Sequence, residues 1–328
     1  MENSNDLLEI RNCFDNFIEA WMGKIELFDE CIDEEPFIYL SMFDNCYNKD
    51  ILKSYLSKRA TLSNLDIKTI NYDVLIKDDV AYMYATIVGV FTNNNYFQKH
   101  LAFGGTFSNQ LVKNKNNWKL KTIRFDLNCE DSIGKTHLTK EGLLIRPSGY
   151  GQKNFISNWK FIDDRIGHNM SKEPNTAPLV ISGEYDNPWY LVKKRDNCLD
   201  DKEQIKDLMY KYCFSFDYIT FYLLKEVFDD DISFKIDKEQ FKGIRDVIGY
   251  LKLYRKTMSR SFTSILFGKF EIEKDVAYVE ATRISPDYKL LKEINDDVRQ
   301  FSCGTYKYKA IKKDNDWKIV DFEFVEGE

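Results

Sequence analysis

The sequence reads DVAYMYAT at residues 79–86 and DVAYVEAT at residues 275–282, 196 positions later. Both stretches follow the pattern Asp-Val-Ala-Tyr-x-x-Ala-Thr, which is typical of a strand entered from an acidic turn. A pattern that recurs over so long a distance indicates an internal duplication. We therefore expect the chain to contain one module twice.

Further matches follow in the same order in both halves. Gly105-Thr106-Phe107 corresponds to Gly304-Thr305-Tyr306, and Trp118-Lys119-Leu120 corresponds to Trp317-Lys318-Ile319, each at an offset of 199 residues. The change of offset indicates an insertion between the second and third strands of the later copy. Several matches in one order support a true duplication.

Composition restricts the possible function classes. The chain has 328 residues, 43% of them hydrophobic, and a net charge of -6. That length suits two domains, and the negative charge argues against a nucleic-acid partner. No apolar run approaches the ~20 residues of a membrane span, and the first residues lack the features of a signal peptide. We expect a cytoplasmic protein without a membrane partner.

The cysteines and histidines do not form a recognisable metal or disulfide pattern. The seven cysteines are scattered without a Cys-x-x-Cys pair, and the three histidines do not form a ligand pair on a helix. We interpret most of the cysteines as small buried hydrophobic residues and expect no metal site.

In each half, helical periodicity precedes strand periodicity, which predicts an α+β fold. Asp6 is a candidate cap for a first helix that continues towards Ile32, and Asp200 or Asp201 with Gln204 is a capping signature for the second copy. The predicted strands cover residues 70–76, 80–90, 100–112 and 118–126, and then 264–272, 276–284, 298–311 and 317–325.

The predicted organisation has three parts. Residues 1–130 form a first domain, residues 131–198 form a loop-rich connector, and residues 199–328 form a second domain. The connector holds Trp159 and Trp189 among other aromatic residues, so we expect it to pack on one or both domains rather than to be a free linker.

The second half resembles the SnoaL-like branch of the nuclear transport factor 2-like superfamily. The resemblance rests on Tyr212-Cys213-Phe214-Ser215-Phe216-Asp217, on Phe228-Asp229-Asp230, and on the strand motifs quoted above. It implies two tandem cone-shaped domains, each with N-terminal helices and a curved, mainly antiparallel sheet around an apolar cavity. Superfamily members include dehydratases, isomerases and cyclases as well as domains without catalytic activity, so the fold does not decide the function.

Two residues of the second copy match the acid–base pair of scytalone and bile acid dehydratases. Tyr212 and Asp217 reproduce the spacing of the Tyr and Asp on the first helix of those enzymes. Desolvation would raise the pKa of a carboxylate in an apolar cone towards neutrality. The alternative is structural, with Asp217 ending the helix and Tyr212 in the core. The histidine of those dehydratases would fall near Thr263 or Ser264, and neither position holds it.

Candidate substrate-binding residues come from the strands. Alternation places Arg283 on one face with Ala277, Val279 and Ala281, where its side chain could bind a carboxylate or an enolate oxygen. Pairing with Glu271 or Glu273 is the alternative for Arg283. Tyr306 and Tyr308 share a face and are candidate hydroxyl donors to the same cavity, with simple packing as the alternative.

Two functional hypotheses follow. In the first, the second domain is a lyase or isomerase that uses Asp217 and Tyr212 on a small hydrophobic molecule and needs no cofactor. In the second, the protein is a non-catalytic binding module in which the two copies form an intramolecular pseudo-dimer, with further homo-oligomers left open. The first copy lacks comparable polar residues, which favours a structural or sensing role for it.

Overall fold

The structure is a computed structural model that describes residues 2–41, 48–93, 100–115, 117–133, 180–236, 238–256, 261–286 and 301–326. It divides into two compact units, of which the first extends through Asn197 and the second begins at Cys198. The sheet has five strands in the first unit and six in the second. The predicted α+β class is confirmed, with helices before a mainly antiparallel sheet in two tandem units.

The first unit places a long helix before its sheet. Its elements are α1 (Glu2–Met22), a 3-10 turn (Ile25–Leu27), α2 (Phe28–Cys31), β1 (Ile32–Leu40), α3 (Lys49–Leu62), β2 (Ser63–Lys77), β3 (Val80–Asn93), β4 (His100–Asn114), β5 (Asn117–Ile133) and α4 (Pro188–Leu191). The strand order is β1-β5-β4-β3-β2, with β1 parallel to β5. The first helix ends before Ile32 because Gly23, with φ 132°, leaves the helical region.

The second unit repeats this arrangement and extends it. Its elements are α5 (Asp201–Asp217), a 3-10 turn (Phe221–Leu223), α6 (Leu224–Val227), β6 (Phe228–Ile236), β7 (Glu239–Lys242), α7 (Ile244–Lys256), β8 (Ser264–Glu273), β9 (Val276–Pro286), β10 (Phe301–Lys313) and β11 (Asp316–Glu326). The strand order is β7-β6-β11-β10-β9-β8, with β6 parallel to β11.

The repeated tryptophan ties the last antiparallel hairpin to the first helix in each unit. Trp118 Nε1 donates to Asp6 Oδ1 at 2.9 Å, and Trp317 Nε1 donates to Asp201 Oδ1 at 3.0 Å. The same oxygens accept from Lys113 and Lys312, respectively, at 2.7 Å. Asp6 therefore lies inside α1 as a partner of Trp118, and the predicted cap at this residue is wrong. The predicted cap at Asp200 is confirmed, because its side chain accepts from Glu203 N.

Residues 180–197 pack on the sheet of the first unit. The buried carboxylate of Asp126 accepts from the backbone N–H groups of Val180 and Ile181 at 2.8 and 3.1 Å. The Trp189 ring lies 5.4 Å from the Tyr84 ring. This part of the predicted connector is therefore a layer of the first unit. Residues 134–179 of the connector lie outside the described residues.

The core of the first unit is built from aromatic rings. Trp21, on α1, lies 5.8 Å from Phe107 on β4 and 5.1 Å from Phe125 on β5, in edge-to-face geometry. Gly105 permits this contact, because a Cβ at that position would lie 2.2 Å from the Phe125 ring. A Cβ at the equivalent Gly304 would lie 2.6 Å from the Phe324 ring. The repeated glycine is thus explained by the aromatic ring on the neighbouring strand.

Gly105→Ala is expected to destabilise the protein by about 1–3 kcal/mol, the usual range for overpacking a core. The added methyl would also lie 2.8 Å from the carbonyl oxygen of Asp126, which is backbone and cannot rotate away. Chemical denaturation of the full chain measures the change. Gly249→Ala on α7 is the matched control, because nothing lies within 4 Å of the Cβ that this substitution adds. This control should stabilise by roughly 0.5–1 kcal/mol, and equal effects of the two substitutions would contradict the packing explanation.

Among the described residues, no helix combines the length and the apolar character that a membrane crossing requires.

Candidate functional site

Asp217 is the last residue of α5 and lies in the interior of the second unit, with 2% of its surface exposed. Thr263, just before β8, engages both carboxylate oxygens. Its backbone N–H donates to Oδ2 and its hydroxyl donates to Oδ1, each at 2.9 Å. Thr263 is one of the two positions where the resemblance placed the dehydratase histidine. The threonine orients the carboxylate but cannot act as a base at neutral pH.

Burial raises the pKa of Asp217 above its ordinary value of 3.8. The hydrogen bonds from Thr263 and the positive charge of Arg255 favour the charged form but do not cancel the effect of burial. Such a carboxyl can exchange a proton closer to neutral pH than an exposed one, which is a property of general acids and bases.

The raised pKa predicts a pH-dependent contribution to stability. Because the folded state holds the proton more tightly than the unfolded state, this contribution is fully present below pH 3.8 and is lost as the pH rises through the folded-state pKa. Asp217→Asn removes the titration. The free energy of unfolding of the wild type, relative to this variant, should therefore fall with increasing pH in urea titrations. If the difference in the free energy of unfolding between the wild type and Asp217→Asn does not change with pH, the raised pKa of Asp217 is contradicted.

Arg255 holds the end of α5 in place. It is 5% exposed, and its Nε donates to the Phe216 carbonyl at 3.0 Å while Nη2 donates to the Asp217 carbonyl at 3.3 Å. A cation at a helix C-terminus satisfies carbonyls that lack helical partners. Sequence reasoning missed Arg255. The spacing of the buried residues Val247, Leu251 and Arg255 on α7 is a signal that could have revealed it.

Tyr212 and Tyr306 meet in the interior, with ring centroids 5.9 Å apart. Tyr212 also packs 5.1 Å from Phe322, and Tyr306 lies 4.8 Å from Phe324. Burial raises the pKa of both phenols, so both are neutral hydrogen-bond donors at physiological pH. Tyr212 is therefore part of the aromatic core, as well as a neighbour of the site.

Arg283 reaches the same region from β9. Burial acts to lower the pKa of its guanidinium, but the electrostatic influence of Tyr306 and Asp217 leaves that pKa raised. Arg283 forms no ion pair with Glu271 or Glu273 among the described residues, and Glu271 instead pairs with Lys269 at 2.8 Å. Tyr308 is buried as well, and burial raises the pKa of its phenol, with Tyr210 and Cys213 rather than Arg283 contributing to the shift.

Cys213 lies one helical turn before Asp217 and is fully buried. Burial, followed by the neighbouring Asp217 charge, raises the pKa of this thiol. The thiol is thus neutral and unreactive as a nucleophile. No group of three or more His, Cys, Asp or Glu side chains in the described ranges could hold a metal ion.

The first unit lacks an equivalent acid. Met22 ends α1 as Asp217 ends α5, and the Ile67 backbone N–H contacts the Met22 sulfur at 3.2 Å, where Thr263 N–H contacts the carboxylate in the second unit. The expected poverty of polar groups in the first copy is thus observed at this position. A thioether cannot transfer a proton, so this interior is suited to packing.

A groove of about 250 Å³ lies on the second unit, lined by residues that include Tyr278, Glu280, Lys307 and Tyr308 but not Asp217. Tyr278 and Glu280 alternate on β9 with the buried Ala277, Val279 and Ala281. Most of the groove lining is therefore on the outer face of the sheet, away from Asp217, although the buried Val279 and Tyr308 also border it.

Residues 197–323 match the model of a family described as a SnoaL-like domain. Solved structures also resemble parts of the chain. A protein from Kribbella flavida is 12% identical, with 39% of this chain and 94% of that chain covered and a TM-score of 0.35. An ntf2-like protein with a cystatin-like fold from Novosphingobium aromaticivorans is 14% identical, with 39% and 82% covered and a TM-score of 0.32. A protein of unknown function from Mycobacterium tuberculosis is 16% identical, with 39% and 72% covered and a TM-score of 0.29. Comparison with curated proteins finds no match.

Proposed function

Since residues 197–323 match the model of a SnoaL-like domain, we propose that the second unit is a lyase or isomerase that acts on a small, largely apolar molecule without a cofactor. The observation that carries the proposal is the buried carboxyl of Asp217, which is oriented by Thr263 and has a raised pKa. A purely structural residue at this helix end would not need a titratable group, as Met22 in the first unit illustrates.

The chemistry follows from the groups around Asp217. In the ionised form, Asp217 removes a proton from the carbon next to a substrate carbonyl, and the electron pair of the C–H bond forms an enolate. Arg283 or the neutral phenol of Tyr212 or Tyr306 stabilises the enolate oxygen by donating a hydrogen bond. The enolate then either expels a hydroxide from the β-carbon, which leaves as water with the proton held by Asp217, or takes that proton back at another carbon. The first outcome is dehydration and the second is isomerisation.

The second candidate function is non-catalytic ligand binding. It is favoured by the engagement of both Asp217 oxygens with Thr263. In this alternative, the carboxylate fastens α5 to the start of β8, and the absence of a histidine at position 263 reflects the lack of a reaction. The duplicated units would then act as a pseudo-dimer without turnover.

A substrate screen separates the two candidates. The full-length protein is incubated with cyclic and aromatic β-hydroxy ketones and β,γ-unsaturated ketones, each in neutral and carboxylate-bearing form. Formation of the conjugated enone is followed by ultraviolet absorbance. Enone formation above the rate without protein supports the proposal. Binding of panel members without any product supports the non-catalytic alternative and overturns the proposal.

A further inference from the structure

Arg283 has a buried nitrogen that its surroundings do not satisfy. Its position on β9 places it on the inner face with Ala277, Val279 and Ala281, which are at most 2% exposed. Its Nε is buried and donates no hydrogen bond within the described residues. The guanidinium carbon lies 5.7 Å from the centroid of the Phe324 ring, which is a cation–π contact and not an ion pair.

The neighbouring groups do not neutralise this cation by contact. Asp217 is the nearby carboxylate, but its oxygens are engaged by Thr263, and no salt bridge joins Asp217 to Arg283 in the described part of the chain. The other titratable groups that interact with Arg283 include the phenols of Tyr212, Tyr254 and Tyr306 and the thiol of Cys213. A guanidinium whose Nε is buried without a hydrogen-bond partner, and which no anion contacts, is unfavourable unless another molecule supplies that partner and the charge.

The first unit shows that the fold does not need an arginine at this position. Ile87 is the counterpart of Arg283 in the repeat, and it is fully buried in a strand with the same alternation. An apolar residue therefore fills the position when packing alone is required. The presence of Arg283 at this position of the second unit is therefore explained by a role other than stabilising the fold.

We propose that Arg283 binds the carboxylate of a small aromatic or cyclic carboxylic acid, whose apolar body lies against Tyr212, Tyr306 and Phe324. The planar guanidinium matches a carboxylate in bidentate geometry. One guanidinium balances one negative charge, and the buried Arg255 is already engaged with the carbonyls of Phe216 and Asp217. A monoanion therefore fits better than a phosphate. The inference rests on the proposed function in placing the ligand beside Asp217.

Calorimetric titration with matched pairs of ligands tests the inference. The probes are cinnamate and cinnamamide, benzoate and benzamide, and cyclohexanecarboxylate and its amide, each added to the full-length protein. At least one carboxylate should bind the wild type. Arg283→Ile, which copies the residue of the first unit, should weaken that carboxylate by roughly 30-fold or more and leave its amide unchanged. Arg245→Ile removes an exposed charge from α7 and should change neither affinity.

Three results would overturn the inference: no carboxylate of the panel binds, Arg283→Ile leaves carboxylate binding intact, or it weakens acid and amide equally. The Asp217→Asn variant separates this inference from the proposed function, since it should keep carboxylate binding while losing turnover. Binding that depends on Arg283 without any turnover would refute the proposed function alone. Turnover of neutral ketones that is insensitive to Arg283→Ile, with no carboxylate binding, would refute the anion site alone.

Discussion

Asp217→Asn is expected to lower the turnover of the second unit by about 10²–10⁴-fold, the usual contribution of a general acid or base. The substitution is nearly isosteric. The amide oxygen can still accept from the Thr263 backbone N–H, and the amide nitrogen can donate to the Thr263 hydroxyl, so the position of the side chain should be kept. What is lost is the ability to accept a proton. The measurement is the rate of enone formation with the best substrate of the screen.

The pH dependence of that rate provides a second test of the same residue. As a base, Asp217 must be ionised, so the rate of the wild type should fall as the pH drops through the raised pKa of this carboxyl. The Asp217→Asn variant should not show this decrease in rate at low pH. Asp207→Asn is the matched control, because it makes the same chemical change on the same helix, at a carboxylate that pairs with Lys211 at 3.1 Å. If both variants retain the wild-type rate, Asp217 is not the proton-transfer group.

Trp21→Ala should destabilise the first unit by about 3–5 kcal/mol, because it removes the largest side chain of a closed aromatic core. Trp21 is 1% exposed and contacts the rings of Phe17, Phe107 and Phe125 at centroid distances of 5.9, 5.8 and 5.1 Å. Surrounding strands cannot easily collapse into the space, since Phe107 and Phe125 are held in sheet register. Urea unfolding of the full chain, followed by circular dichroism, measures the loss.

The control for Trp21 is Tyr185→Ala, an aromatic truncation in the same unit at a residue that is 79% exposed. Its effect should stay within about 0.5 kcal/mol. Because the chain has two units, the unfolding curve is analysed for two transitions, and only the transition of the first unit should move. Equal shifts for the two variants would show that the aromatic cluster does not stabilise the first unit.

The strands could be predicted from the sequence to different degrees. In the hairpins that contain the repeated motifs, most strand ends were predicted within about three residues, because alternation and acidic or asparagine-rich turns are local signals. The exceptions are β2, which begins at Ser63 rather than residue 70, and β5, which ends at Ile133 rather than residue 126. The parallel strands β1 and β6 were missed. Their pairing with β5 and β11 joins distant segments, and their exposure patterns are irregular where the register shifts, as at Ile32–Phe37 on β1 and Phe228–Ser233 on β6.

Only part of the candidate site could be predicted from the sequence. The spacing of Tyr212 and Asp217 and the alternation that turns Arg283 inward are local properties of a helix and a strand. Arg255 was missed, because its role depends on the packing of α7 against the end of α5. The place of the missing histidine was predicted near Thr263 or Ser264, but the bond between Thr263 and Asp217 joins residues 46 positions apart. Nothing in either segment alone specifies that contact.

The sequence alone determined that this chain is a duplication, that each copy runs from helices to antiparallel strands, and that the two copies differ in polar residues at matching positions. These properties follow from the periodicity of apolar residues and from the repeated motifs, and neither depends on how the elements pack. Only the tertiary structure decided that Asp217 is buried, that Thr263 and Arg255 hold it, and that Arg283 is left without a contacting anion in the described residues. Burial and charge pairing arise between segments that are far apart in the chain, and the free energy of a carboxylate or a guanidinium is set by those neighbours rather than by its own local sequence.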